Sequence, residues 1–179
     1  MIRAEISMRS RAAVYILVLC SLVPILAGLR VDHRLLGDDP LITLTYAKNI
    51  AGGNGFVFNH GEPVLGTTTP LFALAVAAGM VLLPGVAGTA IAVWLTVFCW
   101  LGLIWIFYLL REPLGLPEGA AVWAGAAMAA GGWVSDLGME AYPFALLLVA
   151  TVAAGFAKRW LTLGLLGGLL FLTRGEGIL

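Results

Sequence analysis

The chain has 179 residues, of which 61% are hydrophobic and 11% charged, with a mean hydropathy of +1.00 and a formal net charge of zero. This composition excludes an ordinary soluble globular protein and predicts an integral membrane protein. The zero net charge gives no reason to expect a nucleic-acid partner, because nucleic acids bind strongly basic surfaces. Cys20 and Cys99 lie in separate apolar runs and predict neither a disulfide framework nor a thiolate metal site.

The first apolar run, Ala12–Leu29, follows three arginines, so the positive-inside rule places the N-terminus in the cytoplasm. The run is longer than the apolar part of a usual signal peptide, and "ILAGLR" is a poor cleavage site. It is therefore interpreted as an uncleaved anchor. Further predicted spans are Ala90–Leu110, Gly119–Val134, Ala141–Ala157 and Leu161–Leu172.

A shorter run, Leu71–Leu83, is bounded by Pro70 and Pro84. A helix of this length covers about 20 Å, short of the ~30 Å hydrocarbon core, which predicts an interfacial rather than a spanning helix. The basic residues of the later short turns are then all cytoplasmic. The predicted fold class is all-α integral membrane, with about five transmembrane helices plus extracytoplasmic juxtamembrane helices in the first outer loop, residues 30–89.

This topology gathers most acidic residues of an apolar chain on the extracytoplasmic face. Chemistry is therefore expected in the outer loops and turns, and not inside the spans. The charged residues assigned to this face are Asp32, Asp38, Asp39, Glu62, Asp136, Glu140, Glu176, Arg30, Arg34, Lys48 and Arg174.

Two adjacent carboxylates, Asp38 and Asp39, precede Pro40 in the first outer loop. Asp39 is a good helix N-cap and Pro40 suits a first helical position, with Gly52 or Gly53 ending the helix. Capping explains Asp39 without any catalytic role, whereas Asp38 has no such explanation. An acidic pair at a helix start can also hold a divalent cation or act as a general base.

Other polar groups on this face each have a structural and a functional interpretation. Lys48 can reach a phosphate or extend towards the membrane surface. Glu140 can complement a helix dipole, but an acid at the edge of the hydrocarbon is also a functional candidate. Arg174 and Glu176 in "FLTRGEGIL" suit either an ion pair or phosphate recognition. The glycine-rich stretch around His60 matches no nucleotide-binding motif.

Three stretches in order resemble the N-terminal part of type C glycosyltransferases that use polyprenyl-phosphate-linked sugars, especially bacterial mannosyl- and arabinofuranosyltransferases. They are "DDPLITLTYAKNIAGGNGFVFNHGEPVLGTTTPL", "SDLGMEAYPFALLL" and "FLTRGEGIL". Glu140 takes the position of the acid in the second motif. The residues that match the family's other two patterns are Gly53, Gly55, Asn59, Gly61 and Glu62, and Thr173, Arg174, Glu176 and Gly177.

The resemblance implies an inverting transfer of a sugar from polyprenyl phosphate to the hydroxyl of a cell-envelope glycan, lipid or protein in the extracytoplasmic leaflet. Asp38 would be the base, and Asp39 and Glu140 would hold a divalent cation or organise the acceptor. Arg174 and Lys48 would stabilise the departing phosphate. The other residues expected to bind substrate are Asn59, Glu62 and Glu176.

Two alternatives from other classes stay open at this point. A transporter or channel component would carry ionisable groups near the membrane midplane or broken helices in matched repeats, and the predicted spans carry no charges. A non-catalytic subunit of a membrane assembly would also use the small-residue segment "GAAVWAGAAMAAGG" for close helix packing. The chain, which stops directly after "TRGEGIL", is expected to be a fragment of a longer membrane protein.

Overall fold

The computed structural model describes residues 2–31, 38–62, 66–112, 114–131 and 136–174, with the backbone alone for residues 2–10. The regular elements in these ranges are α-helices, apart from Asp136, which has a 3₁₀-helical conformation, and no strand occurs among them. The all-α prediction is therefore confirmed for the described part of the chain. The helices are α1 (Ile2–Arg30), α2 (Asp38–Ala51), α3 (Pro70–Leu82), α4 (Gly88–Leu109), α5 (Glu118–Ala130), α6 (Ala141–Phe156) and α7 (Trp160–Thr173).

Two of these helices are long and apolar enough to cross a membrane, as judged by length and composition alone. They are the Arg11–Arg30 part of α1 and the whole of α4. The helices α3, α6 and α7 are apolar but have 13, 16 and 14 residues, or about 20 to 24 Å. The predicted total of about five spans and the side on which each loop lies stay predictions.

The start of α2 differs from the sequence prediction. The helix begins at Asp38, so Asp39 and Pro40 are its second and third residues, and not the N-cap and the first helical position. Proline is tolerated there because the N–H groups of a first turn have no partner within the helix. Both carboxylates lie at the positive end of the helix dipole. The helix ends at Ala51, and Gly53 follows with a φ of 78°, as the predicted glycine stop requires.

The helices α1 and α4 run antiparallel. Gly28, near the end of α1, lies so close to Val97 in the first half of α4 that an added Cβ would come within 2.8 Å of the valine side chain. Ser21, earlier in α1, accepts a 2.9 Å hydrogen bond from Trp105, later in α4. The end of α1 and the beginning of α4 therefore share one end of the helix bundle.

The helix α5 runs antiparallel to α4 in turn. Trp100 Nε1 donates a 2.9 Å hydrogen bond to the carbonyl of Met128 near the end of α5. Tyr108, near the end of α4, donates to Glu118 at the start of α5 over 3.5 Å. Since the Trp100 ring also stacks on Tyr142 at the start of α6, with centroids 5.0 Å apart, α6 begins at the level where α5 ends.

Small side chains allow α5 to pack closely against α1 and α4. Ala121, Gly125 and Ala129 recur at every fourth position and are buried. A Cβ added to Gly125 would collide with the backbone oxygen of Ile104 and lie 2.6 Å from Leu17. The predicted close-packing face of "GAAVWAGAAMAAGG" is confirmed for the described residues.

The helices α2 and α3 pack onto the end of the bundle where α4 begins. Ala47 of α2 and Phe72 and Val76 of α3 form a buried apolar cluster with Ile91 and Ala92 in the first two turns of α4. The turn that precedes α6 lies at the same end, because Gly138 N donates a buried 3.0 Å hydrogen bond to Thr96 Oγ1 of α4. We refer to this end of the bundle as the α2 end.

Candidate functional site

An ion pair joins two motifs that lie far apart in the sequence. Glu140 Oε1 and Arg174 Nε are 3.6 Å apart. Glu140 directly precedes α6 and Arg174 directly follows α7. The two helices form an antiparallel hairpin, with Gly155 near the end of α6 beside Leu163 near the start of α7. This hairpin returns Arg174 to the α2 end of the bundle, where Glu140 lies.

The two members of this pair differ in their exposure. The Glu140 side chain is 11% exposed and the Arg174 side chain 43% exposed. The guanidinium also lies 6.0 Å from the centre of the Phe144 ring. A separation of 3.6 Å is an ion-pair contact and too long for a good hydrogen bond. A guanidinium has five N–H donors in a planar fork that matches the geometry of phosphate oxygens, which is the basis of the phosphate-recognition interpretation of Arg174.

The acidic pair Asp38 and Asp39 lies in the first turn of α2, and both side chains are exposed. Among the described residues, no hydrogen bond or ion pair links either carboxylate to another side chain. Their helix lies at the same end of the bundle as the Glu140–Arg174 pair, but no hydrogen bond or ion pair among the described residues connects the two groups.

The residues predicted to hold a divalent cation are Asp39 and Glu140. In the described ranges no group of three or more His, Cys, Asp or Glu side chains is close enough to bind a metal ion. Glu140, one of the two predicted ligands, contacts Arg174, and the arginine guanidinium would compete with a metal ion for the carboxylate. Asp39, the other predicted ligand, is exposed in the first turn of α2.

One face of α2 holds the loop that follows the helix. Tyr46 accepts a 2.6 Å hydrogen bond from the backbone N–H of Gly66. The hydroxyl groups of Thr43 and Thr69 are 3.3 Å apart, and both side chains are buried. The helix residues of these contacts are three positions apart, so they lie on one face. These contacts hold the C-terminal end of the loop against α2.

Asn49, three residues after Tyr46, fastens the middle of the same loop. Its Nδ2 donates to the carbonyls of Val57 and Phe58 at 2.8 and 2.9 Å, and its Oδ1 lies 3.0 Å from His60 Nε2. Because both amide hydrogens go to carbonyls, Oδ1 is the atom that faces the imidazole, and His60 Nε2 must donate. The Nδ1 atom of a neutral His60 is then a hydrogen-bond acceptor.

The sequence interpretation missed Asn49. The sequence does contain a signal for it, because the polar residues Thr43, Tyr46 and Asn49 recur at every third position on the buried face of α2.

A pocket of about 550 Å³ lies between the second half of α2 and this loop. Two residues predicted to bind substrate, Lys48 and Asn59, line it. Asn59 Nδ2 also donates a 3.1 Å hydrogen bond to Glu62, a third predicted substrate-binding residue, and both are exposed. Glu176, also predicted to bind substrate, lies outside the described residues.

Comparison with known proteins assigns no family to this chain. No protein-family model, no curated protein and no solved structure matches it. Its function is therefore inferred from its own residues and their arrangement.

Proposed function

We propose that this chain acts in a membrane glycosyltransferase that moves a sugar from a polyprenyl-phosphate donor to an extracytoplasmic hydroxyl, with inversion at the anomeric carbon. The observation that carries the proposal is the contact between Glu140 and Arg174. It joins two of the three motifs on which the resemblance rests. The remaining motif, the first in chain order, begins with Asp38 on α2 at the same end of the bundle.

The proposed reaction is a single displacement. Asp38 accepts the proton of the acceptor hydroxyl, and the hydroxyl oxygen forms a bond to the anomeric carbon. The bond between that carbon and the phosphate oxygen breaks, and polyprenyl phosphate leaves with the electron pair. Arg174 stabilises the negative charge on the phosphate, and Glu140 holds the guanidinium in position.

Membrane insertion is part of the proposal. The two helices that suit a membrane by length and composition, α1 and α4, run antiparallel, as two successive crossings would. A lipid-linked donor reaches the site by diffusion within the bilayer, so no nucleotide-binding fold is needed. The helix α3, about 20 Å long, would lie at the membrane surface and border the donor's entry path.

The distribution of charge favours an enzyme over a transporter. The helices α4, α6 and α7 contain no acidic or basic residue. A transporter is expected to carry ionisable groups at midplane depth, because they form the ion or substrate path. In this chain the Glu140–Arg174 pair lies at the ends of two helices, and the Arg174 side chain is 43% exposed.

A donor-class assay tests the proposal. Membranes from cells that produce the protein are incubated with polyprenyl phosphates that carry radiolabelled mannose or arabinofuranose, and in parallel with the corresponding nucleotide sugars. We expect label to enter an acceptor from a lipid-linked donor, with inverted anomeric configuration, above the level of membranes that lack the protein. Transfer from nucleotide sugars alone, or retention of configuration, would contradict the proposal.

A further inference from the structure

We propose that the pocket between α2 and its following loop binds a neutral sugar unit of the acceptor; this inference rests on the proposed glycosyltransferase function. The pocket has a volume of about 550 Å³, which lies within the usual range for small-molecule sites. The side chains that carry the argument are Lys48, Asn54, Phe58, Asn59 and His60.

The polar groups of the pocket match the hydroxyl groups of a sugar. Asn54 and Asn59 are exposed, and each amide offers an acceptor and at least one donor, since one donor of Asn59 goes to Glu62. In its neutral form His60 adds an acceptor, because its Nε2 donates to Asn49 and leaves Nδ1 to accept. Each sugar hydroxyl donates one hydrogen bond and accepts others, so this mixture of donors and acceptors suits a polyhydroxyl ligand.

An aromatic ring provides the apolar part of the site. Phe58 is 41% exposed and lines the pocket. Its ring lies 5.8 Å from that of the buried Tyr46. One face of a sugar ring consists mainly of C–H groups, and burial of this face against an aromatic side chain removes apolar surface from water.

The charge of the pocket favours a neutral ligand over a phosphate. Among its described lining residues, Lys48 is the one side chain with a permanent positive charge, and no arginine is present. Phosphate sites in proteins typically use arginine forks or several cations. We therefore assign Lys48 to the acceptor sugar, and Arg174 alone to the phosphate of the donor.

The pocket is held in shape by the protein itself. Asn49 is 7% exposed and fixes the carbonyls of Val57 and Phe58 together with the His60 ring. Because these contacts already order the loop, a ligand does not have to pay the entropy of ordering it. The loop is therefore suited to bind a small, weakly interacting ligand such as a single sugar unit.

Saturation-transfer NMR tests this inference directly. The protein is purified in an amphipol, so that no sugar-headed detergent competes, and is titrated with methyl α-mannopyranoside and methyl α-arabinofuranoside. We expect saturation to reach the ring protons of one of these sugars. Phe58→Ala and His60→Ala should each weaken binding about five- to tenfold, as expected for the loss of one contact worth about 1 kcal/mol. Thr68→Ala, an exposed change in the same loop outside the pocket, should leave it unchanged.

The outcomes separate this inference from the proposed function. Sugar binding that the variants weaken, without transfer from any lipid-linked donor, would support the pocket and refute the enzyme. Transfer whose acceptor KM is the same in the variants as in the unaltered protein would refute the pocket, as would displacement of the sugar by inorganic phosphate. If Phe58→Ala or His60→Ala lowers the melting temperature, the exposed variant Asn54→Ala decides the matter, because its side chain is not among those that hold the loop.

Discussion

The ion pair between Glu140 and Arg174 should respond asymmetrically when its two members are neutralised. At 3.6 Å the Coulomb attraction is about 5 kcal/mol for an effective dielectric constant of 20. The 43% exposure of the Arg174 side chain brings water and salt close to the pair, which lowers its net contribution to ~1 kcal/mol. Glu140→Gln should therefore cost about 1 kcal/mol, because the arginine left behind can be hydrated.

Arg174→Gln should cost more, because the Glu140 side chain is only 11% exposed. Loss of the arginine leaves a largely buried carboxylate for which the described residues provide no other ion pair. Breaking a fully buried pair in this way costs roughly 3–5 kcal/mol, and partial exposure lowers the expected cost to about 2–3 kcal/mol. The double variant removes this unpaired charge and should be more stable than Arg174→Gln alone.

The free energy of unfolding can be followed by tryptophan fluorescence while the protein is titrated with sodium dodecyl sulfate in mixed micelles. The two single variants and the double variant form a thermodynamic cycle that isolates the coupling between the side chains. Equal costs for the single variants, or a double variant less stable than either, would refute the assignment of Glu140 as a buried carboxylate stabilised by Arg174.

Three further predictions concern packing, local backbone strain and sidedness. Gly125→Ala should lower the free energy of unfolding by about 1–3 kcal/mol because its Cβ meets the Ile104 backbone, whereas Gly119→Ala, which has open space, should change it by less than about 1 kcal/mol in the same assay. Lys158→Gly should raise the free energy of unfolding by about 0.5–1 kcal/mol, and with it the melting temperature, because Lys158 has a φ of 54°, where glycine is favoured. A lower melting temperature would contradict this. In a chain without its native cysteines, Thr68→Cys should react with an impermeant maleimide from outside the cell and Lys158→Cys should not, and the reverse pattern would invert the predicted topology.

Much of the helical framework could be predicted from the sequence. The predicted apolar runs have nearly the same lengths as the helices α3, α4, α6 and α7. Pro70 occupies the first position of α3, where proline is favoured. The predicted start of α2 was wrong because the same residues suit two positions. Asp39 suits both the N-cap and the first turn, and Pro40 is tolerated throughout the first turn. A capping motif therefore locates the start of a helix only to within one or two residues.

The site was only partly predictable for a different physical reason. Glu140 and Arg174 were each assigned to the outer face from helix length and charge, but their contact depends on the α6–α7 hairpin packing in one particular register. The partnership of Asn49 with His60 depends on how the loop folds back over α2. Contacts of this kind arise from tertiary packing, and the sequence pattern indicates only the face on which each residue lies.

The role of Asp38 as the base is the central claim, and the most direct measurement is the rate of sugar transfer by Asp38→Asn. The variant is assayed in membranes with the lipid-linked donor that supports transfer, beside Glu112→Gln, which makes the same carboxylate-to-amide change at an exposed residue elsewhere. Loss of a general base should lower kcat about 10²- to 10⁴-fold, with the melting temperature unchanged. A variant that retains transfer at the level of Glu112→Gln would contradict the account.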